Sequence, residues 1–139
     1  MKLVLDTNVI VAAARSPSGA SAELLRMARR QELVICVSVP LFLEYEVVLK
    51  RAEHIAASGL SHSQIDVLLT AMALFAEPVE THFHWRPVLR DPDDEMVMET
   101  AVNAGAQAIV TFNRRDFLPE MSGFGLDIML PREILRRLE

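Results

Sequence analysis

The sequence predicts a three-layer α/β/α sandwich with a central parallel sheet, and three observations lead there. Short apolar runs rich in β-branched residues (LVL at 3–5, LVICVS at 33–38, AIVT at 108–111, LDIML at 126–130) alternate with longer stretches of helical periodicity. The runs are continuous rather than polar–apolar alternating, which fits strands covered on both faces. Strand–helix alternation in one chain is the pattern of a parallel sheet with helices on either side. The 139 residues contain no linker, internal repeat or low-complexity tract, so residues 1–139 are expected to form one domain.

Each element follows from its residues. LVL runs into Asp6-Thr7-Asn8, a strand entering a loop, and residues 8–14 are helical in character. Pro17, Ser18 and Gly19 break the chain, with Ser18 the expected cap of a second helix that turns Ala22, Leu25, Met27 and Ala28 inward. Arg26, Arg29 and Arg30 mark its solvent side and its C-terminal end, where positive charge complements the helix dipole. After the 33–38 strand, Ser38 caps a helix that tolerates Pro40 in its first turn and carries the stripe Leu41, Tyr45, Val48 and Leu49. Gly59 ends the next segment. Ser61-His-Ser-Gln64 has the form of a capping box opening a helix through about Ala76, which Pro78 stops. Residues 79–92 are expected to be irregular, because Pro87 and Pro92 exclude a long regular element. A helix then starts near Asp93 or Asp94 and ends before Gly105, and Pro131 opens the last helix.

Composition narrows the function. Hydrophobic residues make up 51% and charged residues 24%, an ordinary globular balance. The single cysteine, Cys36, lies in an apolar run and excludes an internal disulfide or a zinc knuckle. No targeting segment is apparent, and no apolar run approaches the ~20 residues of a bilayer-spanning helix. A soluble cytoplasmic protein with no membrane partner is therefore expected. The net charge of −5 argues against gripping nucleic acid by bulk attraction, yet a carboxylate-rich metal site would itself add negative charge that cations offset.

The acids carry the chemistry. In open parallel sheets ligands bind outside the carboxyl ends of the strands. Asp6 follows the first strand, and Thr111, Asn113 and Asp116 follow strand 108–111. Glu44 lies in the second turn of the helix launched from strand 33–38, and Asp94 at the start of the helix feeding strand 108–111. Taken singly, each acid is more often a turn former or a cap. Together they bring carboxylates from four distant segments to one rim, where like charges raise one another's pKa unless a hard divalent cation such as Mg²⁺ compensates. No Walker or G-x-G-x-x-G pattern and no serine–histidine pair offers a different chemistry.

These motifs resemble the PIN-domain family over nearly the whole chain. LVLDTNVIV is similar to the family's opening strand and first aspartate (Asp6), and SVPLFLEYEVVLKR to the segment carrying the second acid (Glu44). RDPDDEMVMETAVNAGAQAIVTFNRRDF is similar to the third block, with Asp94 as its aspartate and Thr111 as its strand-end threonine. Within the family, the DPDD block and the TFNRRDF ending resemble the virulence-associated protein C toxins of bacterial toxin–antitoxin pairs. Many PIN domains place an aspartate where this chain has Asn113. Asn113 through its carbonyl oxygen, or Asp116, is then the fourth ligand.

The resemblance implies a PIN-like fold and a ribonuclease that hydrolyses RNA phosphodiesters with a metal-activated water. Asp6, Glu44, Asp94 and Asp116 would be catalytic and hold Mg²⁺ or Mn²⁺. Thr7, Asn8, Thr111 and Asn113 would tune that shell, and Arg15, Lys50, Arg51, Arg114 and Arg115 would contact the RNA backbone. Expected partners are RNA, a small antitoxin protein and a second copy of the chain, supported by Val67, Leu68, Leu69 and Met72 unless these form core. The competing reading is a non-catalytic PIN-like protein-binding module. His54, His62, His82 and His84 read as loop or surface residues, and Trp85 as packing under the 79–92 loop.

Overall fold

The computed structural model describes residues 1–81, 91–118 and 124–139. The expectations for His82, His84, Trp85 and Pro87 fall outside those residues. The chain runs β1 (Lys2–Leu5), α1 (Thr7–Arg15), α2 (Ala20–Arg29), β2 (Val34–Ser38), α3 (Val39–Leu49), α4 (Ala52–Ser58), α5 (His62–Phe75) and β3 (Glu77–Val79). It continues with α6 (Pro92–Ala104), β4 (Ala108–Val110), a 3₁₀ turn (Arg114–Asp116), β5 (Asp127–Met129) and α7 (Pro131–Arg137). The five strands form one parallel sheet in the order β3-β2-β1-β4-β5, flanked by the helices as the expected three-layer sandwich.

The sheet centre is apolar throughout. Leu3, Val4, Leu5, Ile35, Cys36, Ala108, Ile109 and Val110 are fully buried and belong to one continuous hydrophobic cluster. The chain places β2 and β3 on one side of β1 and then β4 and β5 on the other, so its direction of winding reverses between β1 and β4. Leu5 lies beside Val110 in that register, and the Asp6 N–H donates to the Val110 carbonyl at 2.9 Å. Crevices at such a reversal open outside the carboxyl ends of the strands.

Several local expectations hold. Ser38 Oγ accepts from the Leu41 N–H at 3.4 Å, and Leu41, Tyr45, Val48 and Leu49 are buried. Ser61 and Gln64 form a reciprocal capping box at 3.1 and 2.8 Å. Gly59 and Gly105 close α4 and α6 in the left-handed conformation, at φ 74° and 64°, where a side chain would strain the backbone.

Others need correction. Gly19, not Ser18, is the N-cap of α2: its N–H donates to the Ser16 carbonyl at 3.0 Å, and this tight turn leaves Ser18 outside the helix. In α2 the fully buried residue is Leu24, while Met27 is only half-buried. Helix α6 begins at Pro92 with Asp91 as its cap, because proline suits the first helical position and Asp91 Oδ1 accepts from the Asp93 N–H at 2.9 Å. Val79, expected in irregular chain, closes β3, and Pro78 lies inside that strand. That strand is at the sheet edge, where a missing N–H costs no ladder bond. On α5, Leu69 and Met72 are core, Leu68 is half-buried, and Val67 is 70% exposed. Among the described residues no helix is long and apolar enough to cross a membrane.

Candidate active site

Asp6 leaves β1 at the reversal point and also caps α1. Only 8% of it is exposed. Its Oδ1 accepts from the Thr7 N–H at 2.8 Å, and its Oδ2 accepts from Thr111 Oγ1 at 2.8 Å and from Asn8 Nδ2 at 3.3 Å. Thr111 Oγ1 in turn accepts from the Asn113 N–H at 3.0 Å, and Asn8 Oδ1 from the Phe112 N–H at 3.3 Å. The end of β4 is thereby tied to the end of β1. Thr7 acts here through its backbone, and Asn113 reaches Asp6 only by way of Thr111. Burial pushes the Asp6 carboxyl above its ordinary range. The bonds from Thr111 and Thr7 oppose that shift, and the charges of Asp116 and Asp91 add to it.

Glu44 arrives on α3, and two buried contacts fix that helix. The Tyr45 hydroxyl donates to the Leu5 carbonyl, clamping α3 onto the end of β1 next to Asp6. At the other end of the helix Ser38 Oγ lies 2.7 Å from Thr100 Oγ1 of α6. The Thr100 hydroxyl donates to the Met96 carbonyl at 2.8 Å, so Ser38 is the donor between the two hydroxyls. Burial raises the Glu44 carboxyl, and Asp93 and Asp91 raise it further while Arg51 opposes them.

The α6 wall brings Asp91, Asp93 and Asp94. Asp94 is pushed up to about 7, first by burial and then by the charges of Asp6, Asp116, Asp91 and Asp93. A carboxyl raised that far beside four other acids is a functional-site signature with a stated physical cause.

These side chains line one cleft of about 680 Å³ at the carboxyl edge of the sheet. Asp6, Glu44, Asp94 and Asp116 all reach it, as do Thr7, Asn8 and Asn113. Thr111 sits behind Asp6, fully buried. Among the described residues, however, no three His, Cys, Asp or Glu side chains stand close enough to hold a metal ion. The acids therefore share a cleft and an electrostatic field, and closing on one ion requires their side chains to turn inward.

The expected cations divide. Arg15 and Arg51 line the cleft. Lys50 does not; its Nζ is held by Asp66 at 2.7 Å and Glu46 at 3.1 Å, because the i,i+4 spacing turns it toward Glu46. Arg114 pairs with Glu133 at 3.3 Å, and with Arg115 it lines a neighbouring hollow instead. Three further ionisable side chains line the cleft without having been expected at the site: His54, read as a loop or surface residue, Asp93, read as a helix start, and Asp91. The run DPDD carried a signal for the two aspartates; His54 carried none, since α4 only meets the cleft after folding.

The PIN domain family matches residues 2–115. The chain belongs to the PIN domain family. Domains of this family are generally nucleases. The matched span contains every cleft acid except Asp116, which lies one residue beyond it. Among solved structures, this PIN domain is similar to VapBC2 from Rickettsia felis bound to a DNA fragment from its promoter. The likeness has a TM-score of 0.57 at 15% identity and covers 92% of this chain and 97% of that one. At that identity the likeness is one of fold. No curated protein matches.

The donor set of this PIN domain fits a hard divalent cation: among the described residues the cleft offers carboxylate and amide oxygens, the His54 imidazole and no sulfur ligand. Its acids outnumber the arginines that line it, which is the imbalance a bound cation would relieve.

Proposed function

We propose that this PIN domain is a Mg²⁺- or Mn²⁺-dependent endoribonuclease, acting in the cytoplasm as the toxin of a toxin–antitoxin pair. The observation that carries this reading is the convergence of Asp6, Glu44, Asp94 and Asp116 on one cleft, with Asp94 pushed up to about 7 by burial and then by its acidic neighbours. Asp6, Glu44 and Asp94 would hold the metal, with Asp116 or the Asn113 carbonyl oxygen as the fourth donor. When bound, the metal supplies charge stabilisation at the phosphate and activation of the attacking water. The Thr111 hydroxyl and the Thr7 N–H aim the Asp6 carboxylate and oppose its neutralisation by burial. Arg15 and Arg51 hold the flanking phosphates of the RNA strand. Residues 1–139 act as one nuclease domain. The VapBC2 neighbour and the toxin-like motifs support a small antitoxin as partner. Of the residues expected to support a second copy only Val67 is exposed, at 70%, and Leu74, 85% exposed on the same helix, would join it.

The test is cleavage of purified RNA with Mg²⁺ or Mn²⁺. The wild type cuts, and Asp6→Ala slows cutting by about a hundredfold or more. Identical behaviour of the two proteins would count decisively against the reading. A non-catalytic binding module is the second reading, favoured by the open spacing of the acids. Calorimetric titration with Mn²⁺ separates them, because only the enzyme requires heat that depends on Asp94.

A further inference from the structure

Phe112 stands out beside the cleft. It is 48% exposed although both its neighbours in sequence are engaged at the site: Thr111 bonds Asp6, and Asn113 lines the cleft. Its own N–H is held by Asn8. Five residues on, Phe117 is fully buried, so this segment puts one aromatic in the core and keeps the other out. The backbone that fixes Asp6 thus also fixes a ring in solvent.

That ring borders an apolar hollow of about 280 Å³, lined also by Pro131, with Arg132 among its lining. Ala12 and Ser16 line both this hollow and the acidic cleft, so the two are separated by a single shared wall. On its other side Phe112 borders the basic hollow of Arg114 and Arg115. Arg115 and Arg132 are exposed and make no ion pair among the described residues. An exposed aromatic flanked by arginines is the combination that binds unpaired bases by stacking while cations hold the adjoining phosphates. A chain of net charge −5 has particular need of such contacts, since bulk attraction does not hold the strand.

We propose that Phe112, with Arg132 and the hollow between them, is a stacking subsite for one unpaired base of the RNA whose phosphate enters the acidic cleft. This rests on the ribonuclease reading and names how the strand is held. The experiment uses an unstructured, fluorophore-labelled ten-nucleotide RNA of mixed sequence and a scan in which single positions are made abasic. Phe112→Ala raises Kd and KM about 5- to 30-fold with kcat little changed, and Phe112→Trp restores binding. In an Asp6→Asn, Trp85→Phe background, where position 112 carries the single tryptophan, the Phe112→Trp fluorescence is quenched by the intact RNA and not by one of the abasic RNAs. Arg132→Ala weakens binding in the same direction.

Cleavage by the wild type with Kd and KM unchanged in Phe112→Ala overturns the subsite and leaves the ribonuclease reading standing. If the wild type cuts no RNA, the fluorescence titration still decides: no quenching by RNA overturns the subsite as well. Unchanged RNA affinity with lost binding of a co-expressed antitoxin would assign the hollow to protein docking, and also overturns it.

Discussion

The Thr111 hydroxyl donates to Asp6 Oδ2 at 2.8 Å, joining residues 105 positions apart in sequence across the β1–β4 boundary. This bond favours the ionised form of a carboxyl that burial would otherwise neutralise. Thr111→Val removes it without changing shape much. The Asp6 pKa then climbs further, and the acid limb of the activity–pH profile moves to higher pH. A profile superimposable on wild type would show that the hydroxyl has no part in holding Asp6.

Asp94 makes the metal-free protein sensitive to alkaline conditions. Its folded pKa, about 7, lies above the unfolded value, so the folded state binds the extra proton between about pH 4 and pH 7. Stability is therefore fully present below about pH 4 and falls as the pH rises through 7. Asp6 and Glu44 are shifted the same way, whereas the exposed pairs of Glu23, Glu32 and Glu77 are shifted oppositely and, being strongly screened by solvent, contribute little. In EDTA, Asp94→Asn gains on the order of 1–2 kcal/mol on wild type at pH 8 and little at pH 4, after allowance for solvent screening. Urea denaturation at both pH values measures the difference; a gain independent of pH would refute the assignment.

Metal affinity depends on the same proton. A carboxyl with a pKa of about 7 is mostly protonated at pH 6 and mostly ionised at pH 8, and a metal ligand must be ionised. Mn²⁺ should bind about tenfold more tightly at pH 8 than at pH 6, and Asp94→Asn should abolish most of that dependence. Isothermal titration calorimetry in two buffers of different ionisation heat reads both the affinity and the proton released.

Tyr45 positions the α3 wall. Tyr45→Phe leaves the Leu5 carbonyl without its buried donor and should cost about 1–3 kcal/mol of stability. Because the hydroxyl touches no cleft atom, kcat should fall less than tenfold while the denaturation midpoint drops, which chemical denaturation and initial rates report separately.

Ser38 does two jobs, capping α3 and donating to Thr100 on α6. Ser38→Ala should cost about 1–2 kcal/mol. A double-mutant cycle with Thr100→Val isolates the part due to the hydroxyl pair, expected near 1 kcal/mol; a coupling of zero would mean the two walls are held independently.

Much of this was legible in the residues. The strands were visible because buried parallel strands read as unbroken apolar runs, and the four acids because Asp6 and Asp116 come after such runs while Glu44 and Asp94 sit near the starts of helices that leave or feed them. The short edge strand Glu77–Val79 was not, since three residues containing a proline carry no periodicity, and its only warrant is pairing with β2. The start of α6 was missed by one or two positions because three aspartates compete for the cap, and only the bond from the Asp93 N–H to Asp91 decides among them. Lys50 looked like an RNA contact because its charge is visible in the sequence. The partner that takes it, Asp66 on α5, is visible only after α3 and α5 pack.

By itself the sequence determined the layer architecture, the parallel sheet and four of the six acids of the cleft, because hydrophobic period and strand-end position are local properties of the chain. The tertiary structure alone decided the strand order that puts Asp6 beside Thr111, the burial and neighbouring charges that drive Asp94 toward neutral pH, and the exposure of Phe112 five residues before a buried Phe117. The physical reason is range: propensity and patterning act over a few residues, whereas charge coupling, burial and hydrogen bonding between strand ends depend on distances that exist only once the sheet has formed.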